Sequence, residues 1–137
     1  MKSAGYSGTP LVRKLGIKAG FRICLVNEPG PYLDLVGTLP AGVERCGARA
    51  RSLDFIHCFV TRAADLERRM PGLRKRIVQN GMIWISWPKK SSGVRSDMSG
   101  DEVRRVAFAN QLVDVKVCAV DEVWSGLKLV IRKEDRT

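Results

Sequence analysis

The sequence predicts an α/β fold with a mostly parallel sheet that ends in an antiparallel hairpin. Three observations carry this reading. Leu53–Val60 (LDFIHCFV) and Gly81–Trp87 (GMIWISW) are short, nearly continuous apolar runs, as expected of central strands covered on both faces. Strand-like and helical patterns alternate along the chain, which gives parallel strands joined by crossovers. Finally, Leu127, Leu129 and Ile131 alternate with Lys128, Val130 and Arg132, the pattern of a half-buried last strand.

Taken in order, Thr9-Pro10 signals a helix start, with Thr9 as N-cap and Pro10 at the first helical position. Leu11, Val12 and Leu15 give that short helix an apolar side, and Gly16 suits a left-handed end. Residues 1–19 thus read as an arm and a short helix packed on the body, with Tyr6 tucking the arm down. Phe21–Val26 is the first strand, broken at Asn27-Glu28-Pro29-Gly30. A helical segment runs from Tyr32 to about Gly37, and Val43–Cys46 is a weak strand. After Leu53–Val60, Thr61 can cap a helix whose Leu66, Met70, Leu73 and Ile77 form one stripe. Pro71 should kink or split it, and Asn80-Gly81 should end it. Beyond the polar loop 91–97, Ser99 and Glu102 have capping-box spacing. Val103, Val106, Ala107 and Ala109 or Asn110 face inward. Val113–Val120 and Leu127–Lys133 then form the hairpin across Asp121–Gly126, with Leu127–Arg132 at the edge of the sheet.

A chain of 137 residues fits one domain, 1–137, with a real core. The start MKSAGYSGTP has no apolar run, so neither a secretory signal nor a membrane span is read there, and the expected location is cytoplasmic. Cys24, Cys46, Cys58 and Cys118 are far apart without a CxxC pair, and three of them sit in apolar strand-like runs. They read as reduced core residues with no metal role. His57, the single histidine, reads as a packed strand residue. The net charge of +10 permits attraction to phosphates, and its densest group is Arg62, Arg68, Arg69, Arg74, Lys75 and Arg76 on one helix. No serine stands in a nucleophile elbow and there is no phosphate-loop lysine motif, so no catalytic set is read.

The order of elements from about Gly20 to Lys133 resembles the class I methyltransferase variety of the three-layer, Rossmann-like fold. More narrowly, GYSGTPL near the start, SWPKK after the central strand and WSGLKLVIR near the end resemble a family of small bacterial proteins known as a domain of unknown function. The methyltransferase resemblance implies S-adenosylmethionine held over a glycine-rich turn after the first strand, and an acidic residue ending the second. Here the turn is Asn27-Glu28-Pro29-Gly30-Pro31, whose prolines have no N–H to donate. The second strand ends at Arg45-Cys46-Gly47, with Glu44 inside it.

Parallel strands present their carboxyl ends along one edge, where ligands bind. Asn27, Glu28, Thr61, Arg62, Ser86, Trp87, Lys89 and Lys90 are therefore the expected ligand-binding group, with the two lysines suited to a phosphate or carboxylate. Asp121, Trp124 and Lys128 form a second candidate patch, where the tryptophan reads first as a cap on the end of the core and otherwise as a clamp for a flat ligand or a partner protein, and Asp121 could pair with Lys128. The leading expectation is a non-catalytic binder of an anionic small molecule or a partner, without a cofactor. The alternatives are a divergent S-adenosylmethionine-dependent methyltransferase and a basic nucleic-acid-associated module.

Overall fold

The computed structural model describes residues 9–137; the predicted arm and Tyr6 lie largely outside them. The elements are α1 (Leu11–Leu15), β1 (Arg22–Val26), α2 (Tyr32–Val36), β2 (Glu44–Arg45), β3 (Leu53–Phe59), α3 (Ala63–Arg76), β4 (Ile77–Pro88), α4 (Gly100–Ala109), β5 (Leu112–Ala119) and β6 (Trp124–Ile131). The strands form one six-stranded sheet in the order β2-β1-β3-β4-β6-β5. β2, β1, β3 and β4 are mutually parallel, and β6 lies antiparallel to both β4 and β5. Among the described residues no helix is long and apolar enough to cross a membrane.

Side-chain alternation divides the core into two layers. Ile56, Cys58, Ile83, Ile85, Leu127 and Leu129 pack under α3 and α4, against Leu66, Met70, Leu73, Val103 and Val106. Phe55, Phe59, Met82 and Trp84 point the other way, toward Leu15, Ile17, Tyr32 and Val36 of the α1–α2 side. Trp84 is fully buried. Its indole N–H donates to the Leu15 carbonyl at 2.8 Å, so it satisfies one of the orphan carbonyls at the end of α1. Gly16 ends that helix in the left-handed conformation, φ 83°, as its position predicts.

Several boundaries differ from the sequence reading, each for a local reason. Pro10, not Thr9, occupies the N-cap of α1, and no side chain caps it. Thr61 does not cap α3; the Asp97 carboxylate does that work from a distant loop, accepting the Ala63 N–H at 2.8 Å. α3 continues through Pro71. Pro71 and Glu67 both lie on its exposed side, where water can serve the carbonyl that proline leaves unpaired. The helix stops at Arg76, and Ile77 begins a twelve-residue strand. Ile77 continues the helical stripe by spacing, yet Leu53 pairs with it in the sheet, and the β-branched pair Ile77-Val78 favours extension.

Gly81 is consequently no helix stop. Leu53 pairs with Ile77 but Phe55 with Met82, so two steps along β3 match five along β4. Within this bulge a methyl group on Gly81 would lie 3.0 Å from the Leu53 carbonyl oxygen. The position needs glycine for close approach. At Ser99 half of the capping box forms: its hydroxyl accepts the Glu102 N–H at 3.2 Å, while the Glu102 carboxylate turns to Arg105 instead. Ala109 is exposed rather than inward, and Asn110 bonds back to the Val106 carbonyl at 2.8 Å.

β6 is not the edge strand. It lies between β4 and β5, which leaves β5 outermost. Burial explains the choice: Leu127, Leu129 and Ile131 of β6 are at most 1% exposed, whereas Val115 and Val117 of β5 are 54% and 62% exposed. β5 also carries a bulge, its pairing stepping from Asp114↔Leu129 to Lys116↔Lys128. Bulges and charges of this kind discourage edge-to-edge pairing.

Candidate functional site

The carboxyl ends of β1, β3 and β4 share one edge, and β6 starts beside them because Trp124 pairs with Pro88. The β1–α2 turn begins with Asn27 in the left-handed region, φ 57°, a conformation asparagine tolerates better than most residues. Glu28 then forms an ion pair with Arg45 at the end of β2. A carboxylate therefore does stand beside the second strand's end, supplied from the first strand's turn and neutralised by arginine.

Two cavities flank this turn. On the α2 side, Pro29, Gly30, Pro31, Asp34, Leu35, Asp121 and Trp124 line about 600 Å³. On the α3 side, Asn27, Arg69, Arg76 and the end of β1 line about 500 Å³, but Arg76 is committed there to the Ala50 and Gly47 carbonyls and the Cys24 thiol. A smaller cavity of about 320 Å³ lies among Thr61, Arg62, Arg95, Ser96 and Asp97.

The structure spreads the sequence-derived ligand-binding group over these places. Asn27 and Glu28 border the turn, and Thr61 and Arg62 belong to the small cavity. Trp87 is half-buried on the α4 side, with its ring 3.7 Å from where a methyl group on Gly100 would lie. Lys89 is tied to the β5–β6 connection: its ammonium donates to the Asp121 carbonyl at 2.7 Å and its N–H to the Val123 carbonyl at 2.7 Å. Lys90 is exposed on a short 3-10 turn, 90–92. The two lysines do not converge on a notch, because the Asp121 carbonyl draws Lys89 to the β5–β6 connection while Lys90 stands on its own exposed turn. The second patch also divides. The Asp121 carboxylate accepts the Val123 and Trp124 N–H groups at 2.8 and 2.7 Å, which fixes the turn that presents Trp124. Lys128 points to the α1 side, near Gly16, and makes no ion pair with Asp121.

Ser86 is fully buried and belongs to a group that sequence reading did not assemble. Its hydroxyl lies 2.7 Å from Nε2 of His57, whose Nδ1 lies 2.7 Å from the Tyr32 hydroxyl. His57 stacks on Phe59, ring centroids 4.2 Å apart, and Phe59 meets Trp124 edge-on at 5.2 Å. A neutral imidazole donates at one nitrogen and accepts at the other, and a hydroxyl can do either, so the chain Tyr32–His57–Ser86 is self-satisfying without charge. Burial holds the His57 pKa down to about 3 and pushes the Tyr32 phenol upward. With Ser86 and His57 at 0% exposure, no substrate reaches the serine; the group pins the start of α2, and with it one wall of the larger cavity. The parallel register that places His57 on the same face as Ser86 (Phe59↔Ser86) was the missing information.

This geometry fixes an acid dependence. Above the ordinary histidine pKa of about 6.5 both folded and unfolded chains carry neutral His57. Below it the unfolded chain takes up a proton that the folded chain refuses until about pH 3. Stability should therefore fall as pH drops from about 6.5, with His57 contributing about 1.4 kcal/mol per unit once fully engaged. Urea unfolding between pH 7 and roughly 5, above most carboxylate titrations, should show that slope, and His57→Gln should remove it.

The β1–α2 turn does not make a glycine cradle. Pro29 and Pro31 lack N–H groups, and Gly30 is the single glycine between them. The wall beyond the turn offers different groups: Trp124 and two acidic residues, Asp34 and Asp121. That set fits a flat ring carrying hydroxyls or positive charge.

No protein-family model matches the chain, and no curated protein matches it in sequence. The likeness of GYSGTPL, SWPKK and WSGLKLVIR to the small bacterial family thus gains no support from either. Solved structures do match. A SAM-dependent methyltransferase from Aquifex aeolicus superposes with a TM-score of 0.64 at 16% identity, over 89% of this chain and 88% of that one. A TehB-like SAM-dependent methyltransferase from Corynebacterium glutamicum gives 0.57 at 11% identity, over 94% and 91%. Magnesium protoporphyrin IX methyltransferase from Synechocystis, with bound SAH, gives 0.55 at 8% identity, over 89% and 78%. The fold is accordingly the Rossmann-like one of class I methyltransferases, with a mostly parallel sheet and an antiparallel hairpin.

Proposed function

We propose that this chain is a divergent S-adenosylmethionine-dependent methyltransferase whose ligand occupies the cavity between Pro29–Pro31 and Trp124. The observation that carries the reading is the composition of that wall: Trp124 held edge-on by Phe59, with Asp34 and Asp121 lining the same space of about 600 Å³. Trp124 offers a flat apolar face to an adenine ring, and an aromatic face also attracts a cation such as a sulfonium or ammonium. Asp121 is immobilised through Oδ1 by two backbone N–H groups, so its Oδ2 can accept from a ribose hydroxyl or an ammonium. Asp34 is exposed on the first turn of α2 and adds negative charge. A bound S-adenosylmethionine would supply an activated methyl group; the residues named here bind and orient.

The expectation of an anionic ligand at this edge is less well served. Asp34 and Asp121 line the larger cavity, and Lys89 is directed to the β5–β6 connection. Arg62 and Arg95 line the smaller cavity together with Asp97.

Calorimetric titration with S-adenosylhomocysteine tests the proposal. Binding should be on the order of 100 µM or tighter, and Trp124→Ala should weaken it by about tenfold, the worth of one aromatic stacking contact. Asp34→Asn, on an exposed side chain, should weaken it several-fold while leaving the fold untouched. No heat at millimolar ligand would remove the reading.

A further inference from the structure

We propose that the face formed by α1 and the β5–β6 ribbon binds the phosphate backbone of a nucleic acid. Arg13, Lys14 and Lys18 come from α1 and the turn after it, Lys116 from β5 and Lys128 from β6. Arg13, Lys14 and Lys116 line one cavity of about 520 Å³ with Val117–Ala119 of β5. Lys116 reaches across to donate to the Lys14 carbonyl at 3.0 Å, and Lys128 Nζ lies 4.0 Å from where a methyl group on Gly16 would sit. The five cations thus form one continuous surface.

The arrangement opposes the stability of the free protein. Lys116 and Lys128 are direct partners in the antiparallel ladder, and like charges directly opposite each other destabilise a strand pair. Lys128 is also half-buried; burial, Lys116 and Lys18 all disfavour its ammonium form, and no carboxylate opposes them. Elsewhere several arginines have carboxylate partners. On the α3–α4 side Arg68 and Arg69 pair with Asp65, Arg104 with Asp101 and Asp114, and Arg105 with Glu67 and Glu102. No ion pair among the described residues includes Arg13, Lys18, Lys116 or Lys128. The α1 face thus carries a cluster of like charges separate from the α3 group that looks densest in the sequence, where Arg62, Arg74 and Lys75 likewise make no ion pair among the described residues.

A polyanion relieves this repulsion. The cations are spread over a helix, a turn and two strands, which matches a series of phosphates better than a single one. Among the described residues no aromatic side chain lines the cavity, which favours contacts to the backbone over stacking on the bases.

The test is fluorescence anisotropy of the full chain with a short RNA duplex, over a range of salt. Four to five neutralised phosphates predict that log K falls against log salt with a slope of about −4. Lys116→Ala and Lys18→Ala should each flatten that slope by about 1 and weaken binding about five- to tenfold at low salt. Both should stay folded, because each removes a repulsive charge, and Lys18 is exposed. Arg68→Ala on α3 should change nothing. A slope near zero, or one untouched by both lysine variants, overturns the proposal, as does loss of binding in Arg68→Ala. Equal binding of inorganic tripolyphosphate would assign the surface to a free polyphosphate, and equal binding of anionic vesicles to a membrane; either result also overturns it.

Discussion

Replacing Trp84 by alanine is expected to destabilise the protein by about 3–5 kcal/mol, a large fraction of the 5–15 kcal/mol typical of a domain. Trp84 is the largest fully buried side chain, sits mid-strand on β4, and pairs with His57 on one side and Lys128 on the other. Its ring is so close to β6 that a methyl group on Gly126 would come within 3.1 Å of it. Alanine would leave a cavity between α1 and the sheet and strip the Leu15 carbonyl of its donor. Thermal unfolding should drop by about 10 °C or more, at about 3 °C per kcal/mol. Trp84→Phe should fall in between, since it keeps most of the apolar contact and loses the N–H. A loss below about 1 kcal/mol for alanine would mean that α1 is not anchored through this residue.

The second large effect is expected at His57, and its cause differs. His57→Leu leaves the Tyr32 and Ser86 hydroxyls buried without partners, at about 1–3 kcal/mol each. The cost should be recoverable: adding Tyr32→Phe and Ser86→Ala removes the orphaned groups, and exchanging all members of a polar set for apolar ones of like shape is nearly neutral. Chemical denaturation of the single and triple variants decides it. The triple variant should regain more than half of the loss; if it is as unstable as the three single changes summed, shape and not hydrogen bonding explains the histidine. The same variants probe the site, because Tyr32 opens α2 and α2 forms one wall of the cavity beside Trp124.

The strand order and the site were legible in the sequence to different degrees. β3 and the later part of β4 stood out because strands buried on both faces need unbroken apolar runs, and Ile56, Ile83 and Ile85 of those runs are fully buried. The bulge at Gly81 was not legible, since Ile77 satisfies a helix stripe and a strand ladder equally well. Nor was the position of β6, because alternation marks a half-buried strand without saying which neighbour it takes. At the site, the glycine-poor turn could be read directly, and its consequence could not. Whether Lys89 faces a ligand or a loop carbonyl depends on how the β5–β6 connection folds over it. That the tryptophan near the end of the chain stands beside Pro29–Pro31 depends on β6 pairing antiparallel with β4. The charge count was visible as +10, but its distribution depends on which arginines find carboxylates, and pairs such as Arg45 with Glu28 and Arg105 with Glu67 join residues far apart in the chain.

A crystal structure grown with S-adenosylhomocysteine should show the adenosyl group between Pro31 and Trp124, with a ribose hydroxyl or the ammonium within hydrogen-bonding distance of Asp121 or Asp34. Density instead on the α3 side of the turn, against Asn27 and Arg76, would contradict that placement.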